Sequence, residues 1–211
     1  MGTFTLKRGL SNVFAAEILT DTKEEFKTGT TFHLIPAGEM TRTVDAEKTD
    51  IYFDNTVFDT TGKEAATEIG VTGAALRAPD IAKLLGKLVD TTTGAVIDDG
   101  EYHTKYWAVG GEAENKDGTK ELFWFMKGTF SPPERTDKTK DDSTDTNGTS
   151  LTYSAVKTIH EFDVAGEKKG VKHVTIDTET TELLADQDWT KQVVTPENLS
   201  TICKKKTAAA G

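Results

Sequence analysis

Sulfur, basic charge and long apolar runs are what this sequence has least of. One cysteine, Cys203, in 211 residues leaves no internal disulfide framework and fits a reducing cytosol. Lys and Arg number 25 against 35 Asp and Glu, a formal net charge of −10. Such a chain has no surplus of cations with which to grip phosphate, because phosphate contacts need clustered Lys and Arg. An acidic surface still suits a task in which a polyanion must pass without sticking. No apolar run reaches about 18 residues, and no basic segment followed by an apolar stretch opens the chain, so neither a membrane span nor a signal peptide is expected. The hydrophobic fraction of 36% is low for a compact monomer, which predicts that part of the chain lies in arms and loops or under partners.

The chemistry that could make an enzyme is also missing. His33, His103, His160 and His173 never fall at His-x-His or His-x-x-x-His spacing and no second thiol joins them, so no zinc site is expected. Ser143, Asp145 and Asn147 echo a calcium loop, but Ser154 stands where a bidentate Glu is needed. Neither a Gly-x-x-x-x-Gly-Lys nor a Gly-x-Gly-x-x-Gly after a strand appears, which removes the common phosphate cradles. Cys203 sits among lysines that would lower its pKa, yet without a histidine partner it reads as inert. Catalytic residues, cofactors and metals are therefore expected to be absent.

What is present is β structure. Roughly one residue in six is threonine, a β-branched residue suited to a half-exposed pleated surface. Tyr106 to Val109 and Leu122 to Phe130 are aromatic runs on either side of Asp117-Gly118, whose preference for positive φ predicts an antiparallel hairpin with a two-residue turn. Trp107 and Trp124 on these strands are predicted core. Gly9 to Leu19 reads as a first strand, and residues 20 to 29 as a loop. Thr30 to Val44 is extended, interrupted at Pro36-Ala37-Gly38, with Phe32 and Leu34 on one face and Glu39, Thr41 and Thr43 on the other. Glu64 to Leu76 alternates too, with Ile69 and Val71 opposing Glu68, Gly70 and Thr72.

Between these, residues 45–63 read as a long polar loop with an aromatic patch, Ile51, Tyr52, Phe53 and Phe58. A connection of that length is expected to have a task. One helix of about 11 residues is predicted from Pro79, with Asp80 at its positive end and Ile81, Leu84, Leu85 and Leu88 forming a stripe laid on the sheet. Leu151 to Ile159 and Val171 to Ile176 read as strands, and Trp189 as a plug at the end of the core. Residues 134–149 read as a flexible loop, and 204–211 as a frayed tail.

Taken in order, "RGLSNVFAAEI" (Arg8 to Ile18), "AGEMTRTVDAEKTDIYFDN" (Ala37 to Asn55), "GVTGAALRAPDIAKLLGKLVDTTTGAVI" and "YWAVGGEAENKDGTKELFWFMKGTFSPPERTDKTK" resemble the major tail proteins of siphophages over about 150 residues. The 134–149 loop and the segment after Glu161 depart from that pattern. The resemblance implies a mainly β fold: a β-sandwich or partial barrel with one short flanking helix, a long inter-strand loop and extended termini, as a single domain with an N-terminal arm at 1–8. It also implies six copies in a ring and stacked rings forming a hollow tube that conducts DNA into the host. The expected partners are further copies of the chain, then tape measure, tail terminator and distal tail proteins, with DNA passing unbound and no membrane involved. Assembly is expected in the host cytoplasm and residence in the virion tail.

On that basis Glu39, Thr41, Thr43, Glu68 and Thr72 are expected to line the lumen. Ile51, Tyr52, Phe53 and Phe58 are expected to touch a neighbouring subunit or ring, and Trp107, Trp124, Ile81, Leu84, Leu85 and Leu88 to build the core. A second reading is a carbohydrate-binding or adhesive β-sandwich using Trp107, Phe123 and Trp124 as a platform. A third is the ring protein of a contractile secretion system.

Overall fold

A computed structural model describes residues 5–54, 56–101, 103–133, 148–184 and 188–206. In chain order the strands are β1 (Lys7–Asp21), β2 (Phe26–Thr28), β3 (Phe32–Ile35), β4 (Ala37–Phe53), β5 (Thr56–Gly73), β6 (Leu88–Val89), β7 (Val96–Ile97), β8 (Trp107–Asn115), β9 (Lys120–Ser131) and β10 (Thr149–Val156). They continue with β11 (Glu161–Val164), β12 (Glu167–Gly170), β13 (His173–Asp177), β14 (Thr181–Leu183) and β15 (Cys203–Lys205). Helix α1 (Ala78–Leu85) follows β5, and the one-turn α2 (Leu199–Ile202) precedes β15. The fold is mainly β. Nine strands make one antiparallel sheet in the order β2-β1-β8-β9-β10-β5-β4, with β13 also on β9 and β3 also on β1.

The aromatic hairpin β8–β9 is the middle of this sheet, and both of its faces are buried. Trp107 and Val109 of β8 and Phe125 and Phe130 of β9 join Val13, Ile35, Ile69, Val71, Leu151 and Tyr153 in one core. Ala108, Leu122, Trp124 and Met126 point the other way, onto Trp189, Val193, Val194 and Ile202 from the C-terminal segment. The register of β8 against β9 shifts between Trp107↔Gly128 and Val109↔Phe125, a β-bulge that places an extra residue in β9 and reverses its facing. Beyond the bulge Gly128 and Phe130 share the first core, while Thr129 and Ser131 point away from it.

Polar atoms inside the cores are satisfied. Trp107 Nε1 donates to the carbonyl of Leu84 at 2.9 Å, which pins α1 over the first core. The Tyr153 hydroxyl donates to the carbonyl of Trp107 at 2.8 Å, and burial pushes that phenol's pKa well above its ordinary value, so it remains a donor. In the second core Trp124 Nε1 donates to the Trp189 carbonyl at 3.3 Å. The Trp124 ring lies over Gly110, where a Cβ would come within 2.5 Å of the indole, so only glycine fits at that cross-strand position.

Several expectations are corrected. The β8–β9 turn is a three-residue loop, Lys116-Asp117-Gly118: Gly118 N–H donates to Asn115 O at 3.0 Å and Gly118 alone takes a positive φ of +85°, giving a bulged turn rather than a two-residue one. Helix α1 stops at Leu85 because Gly86, at φ +73°, caps it with N–H bonds to Ala82 and Lys83 carbonyls. Leu88 therefore leaves the helical stripe, enters β6 and is 53% exposed. It does not belong to the core, whereas Leu84 is buried and Ile81 and Leu85 are half-buried. The segment 45–63 is not a loop but the distal part of a β4–β5 hairpin whose turn falls at Asp54, at φ +50°. The arm at 1–8 is shorter than expected, since Lys7 and Arg8 are already in β1, and Lys204 and Lys205 pair with β14 in place of fraying. Residues 134–147 and 207–211 lie outside the described residues.

One buried ion pair ties the sheet's halves together. The Asp21 carboxylate at the end of β1, 4% exposed, takes Lys127 Nζ of β9 at 2.6 Å and the N–H groups of Ile159 and His160 at 3.0 and 2.8 Å. Burial alone would push its pKa up, but the Ile159 N–H, the Lys127 ammonium and the His160 N–H outweigh burial and hold it below the usual carboxylate value. A depressed carboxylate pKa contributes stability that is fully present above the unfolded value, about 3.9, and is lost as pH falls through the folded value.

Two outcomes are expected. Asp21→Asn should lower stability at neutral pH by about 3–5 kcal/mol, because Lys127 stays buried without its counter-charge, and should make the loss of stability below about pH 4 shallower; urea unfolding at neutral and acid pH reads both. Trp124→Ala should cost about 3–5 kcal/mol, whereas Leu88→Ala should stay within about 0.5 kcal/mol. Equal costs for the two in urea unfolding would refute the placement of Leu88 outside the core.

Candidate functional site

Where the sheet passes from β9 through β10 and β5 to β4, its second face has no covering layer among the described residues, and it is lined with hydroxyls. Strand pairing arranges them in rows. Glu39 opposes Thr72, which opposes Ser150; Thr72 and Ser150 hydroxyls lie 3.4 Å apart. Thr41, Gly70, Thr152 and Ser131 form the next row, and Thr43, Glu68, Ser154 and Thr129 the third. Opposed residues in antiparallel strands share a face. Glu39, Thr41, Thr43, Glu68 and Thr72 are all exposed, and the structure brings these five together.

The alternation that builds this face follows from period-two strands. Ile69, Val71, Leu151 and Tyr153 turn into the first core, which forces Glu68, Thr72, Thr152 and Ser154 outward. Sequence reasoning missed Thr129, Ser131, Ser150, Thr152 and Ser154 as members. The alternation of Ser150, Thr152 and Ser154 was visible, but their place beside β5 depends on a pairing between residues about 80 positions apart. In these three rows Glu39 and Glu68 are the only ionisable residues. The surface offers neither cations to hold a phosphate nor an apolar patch to hold a base.

Beyond this face the β4–β5 pair continues alone. Strand β10 pairs with β5 only from Thr67 to Gly73, whereas β4 and β5 stay paired out to Phe53↔Thr56. From Ala46↔Glu64 outward this is a two-stranded ribbon of about 25 Å at the rise of an extended chain. Ile51, Val57 and Phe58 on it are 38%, 47% and 74% exposed. Tyr52 and Phe53 pair through their backbones with Val57 and Thr56; their side chains lie outside the described residues. Among the described residues the outer edge of β4, 17 residues long, has no strand on it.

The sequence profile of the phage tail tube protein family matches residues 14–195. The chain belongs to the phage tail tube protein family. It is a structural component of a virion tail, and the sheet, edge and ribbon above are features of a tail tube subunit. No curated protein matches the chain. The platform needed for a carbohydrate-binding reading is not available in this tail tube protein, because Trp107 and Trp124 are 0% and 1% exposed and face opposite cores.

The histidines sit on separate elements. His103 has a feature that its spacing did not suggest: Asp99, Glu101 and His103, at alternate positions, bring their ligand atoms within 4.8 Å of one another, all exposed. His103 Nε2 lies 2.9 Å from Asp99, and this hydrogen bond raises the histidine's pKa and lowers that of Asp99; an exposed ion pair accounts for the arrangement. Cys203 behaves oppositely to the expectation from its lysine neighbours, since burial raises its pKa and Sγ lies 3.4 Å from the Leu199 carbonyl. No helix of the described residues is long and apolar enough to cross a membrane.

Because the two carboxylates of the hydroxyl face are exposed, Glu39→Lys combined with Glu68→Lys is expected to change unfolding free energy by no more than about 0.5 kcal/mol. A loss of several kcal/mol in urea unfolding would mean that this face is packed within the subunit.

Proposed function

We propose that this protein forms hexameric rings that stack into the hollow tube of a long, non-contractile siphophage tail, with the hydroxyl face of β4, β5, β10 and β9 turned to the lumen and DNA as the traffic. The observation that carries the reading is the junction of that face with a bare edge strand. A long, flat, unpaired edge templates further strand pairing unless it is covered. Pairing the β4 edge with a neighbouring copy joins the hydroxyl faces of successive subunits into a continuous wall. Glu39 and Glu68 on that wall repel phosphate, while Thr41, Thr43 and Thr72 keep it wetted and free of cations.

The ribbon supports the same reading. A two-stranded hairpin is at best marginally stable in water, so a projecting ribbon with exposed Ile51, Val57 and Phe58 gains from a partner. In this proposal Ile51, Tyr52, Phe53 and Phe58 contact the adjacent subunit or ring. The tube's other partners are the tape measure, tail terminator and distal tail proteins, and assembly takes place in the host cytoplasm. A non-enzymatic role accords with a site built of hydroxyls and two carboxylates on an open surface.

Negative-stain microscopy of the purified protein should show rings or tubes; dispersed monomers at every concentration would reject the proposal. Tyr52→Ser with Phe53→Ser should leave the circular dichroism unchanged and abolish tubes, whereas early melting of the monomer would place these side chains in its own core. In phage carrying Glu39→Lys and Glu68→Lys, tails should form and DNA ejection at low salt should slow at least tenfold by electrostatic capture. Unchanged ejection kinetics would remove these residues from the lumen.

A further inference from the structure

Leu88 and Ile97 face each other across β6 and β7 and are 53% and 50% exposed. This small hairpin is braced. Gly86 closes α1 immediately before it, Lys87 and Asp98 form an ion pair at its base, and Asp90 accepts the N–H groups of Thr92 and Thr93 in its loop at 2.7 and 3.2 Å. Among the described residues β6 and β7 pair only with each other. The result is a knob with an exposed apolar pair at its base, a polar loop at residues 90–95 as its tip, and Asp90, Asp98, Asp99 and Glu101 alongside.

A cleft of about 400 Å³ opens at the seam where β4 returns past the start of β1 without pairing to it. Leu10, Met40, Phe123 and Phe125 form its floor. Lys7 pairs with Glu121 at 2.9 Å and Arg8, exposed, with Glu114 at 3.9 Å; Arg42 lies at the mouth beside Glu39, 3.4 Å from His173 Nε2 and 5.3 Å over the Phe125 ring. Knob and cleft lie toward opposite ends of β8. The knob follows α1, whose Leu84 carbonyl takes the Trp107 indole, and the cleft reaches Ala113. The six steps from Trp107 to Ala113 along β8 span about 20 Å.

We propose that the β6–β7 hairpin of one copy seats in the β1–β4 cleft of the next. The inference rests on the stacked-tube reading and names the contact that does the stacking. Leu88 and Ile97 meet the apolar floor, and the acidic flank of the hairpin meets Arg8 and Arg42 in a chain that is otherwise strongly acidic. The two surfaces differ and lie at opposite ends, so each added copy brings a fresh cleft and a fresh knob, and the contact propagates into a filament.

A mixing experiment tests this. Leu88→Asp with Ile97→Asp disables the knob, and Arg8→Glu with Arg42→Glu disables the cleft; all four positions are exposed, so circular dichroism should match the parent. Each variant alone should stop at the unstacked unit in sedimentation and microscopy. An equimolar mixture should give a species of twice that mass and nothing longer, because only one knob–cleft pairing remains intact. As a second measurement, Ile97→Cys with Arg8→Cys in a Cys203→Ser background should yield a ladder of multimers with a short bismaleimide.

Parent tubes together with stacking by either variant, or with no cross-linked ladder, would overturn the knob–cleft contact while leaving the tube reading standing. Loss of stacking by the cleft variant alone would assign the cleft another occupant and overturn it equally. A parent that forms no oligomer would defeat the tube reading, and this inference with it.

Discussion

The one-residue bulge in β9 opposite Ala108 is the constraint on which the rest of the structure depends. A strand that alternates without interruption presents one set of side chains to each face for its whole length. In β9 the extra residue lets Phe125 and Phe130, five positions apart, face the same core. Before the bulge the opposite face carries Leu122 and Trp124 and has to be covered; after it the same face carries Thr129 and Ser131 and can be left bare. The C-terminal segment, with Trp189, Val193, Val194 and Ile202, covers the first region and leaves the second alone. The hydroxyl face exists because β9 changes partner and facing at one point, exchanging β13 for β10 along the same edge.

The two cores serve different ends. The first, closed by α1 through the Trp107–Leu84 bond, holds together strands from β1 to β10 and fixes β4 and β5 in place. The second anchors the C-terminal segment, and the Asp21–Lys127 pair links the end of β1 to the middle of β9 and to the connection after β10. What projects from this body is a ribbon and a knob, each with apolar side chains at its surface and each too small to bury them alone. A chain with a hydrophobic fraction of 36% spends much of that apolar content on two cores and still exposes Leu88, Ile97, Ile51 and Phe58. The arithmetic suits a protein whose burial is completed between copies.

Much of the β structure was legible because it is local. Period-two alternation in Glu64 to Leu76, the aromatic runs around Asp117-Gly118, and the shared polar face of Glu39, Thr41 and Thr43 all follow from side chains two residues apart. The 45–63 segment does not read as strand because its apolar residues do not alternate: Val57 and Phe58, adjacent and so on opposite faces of the ribbon, are both exposed. Leu88 was misread because its spacing from Ile81, Leu84 and Leu85 fits a helix that Gly86 ends two residues earlier.

The sequence by itself determined that this chain is mainly β, acidic, without a nucleotide cradle or zinc motif, and built around an aromatic hairpin, because composition, alternation and turn residues are properties of neighbours along the chain. Only the tertiary structure decided that Trp107 and Trp124 face opposite cores, that Ser150, Thr152 and Ser154 extend the three rows begun by Glu39, Thr41 and Thr43, and that an apolar cleft and the exposed Leu88–Ile97 pair lie toward opposite ends of β8. Those facts depend on register between strands distant in sequence. A shift of one residue, such as the bulge in β9, sends a side chain to the other face at no visible cost in pattern.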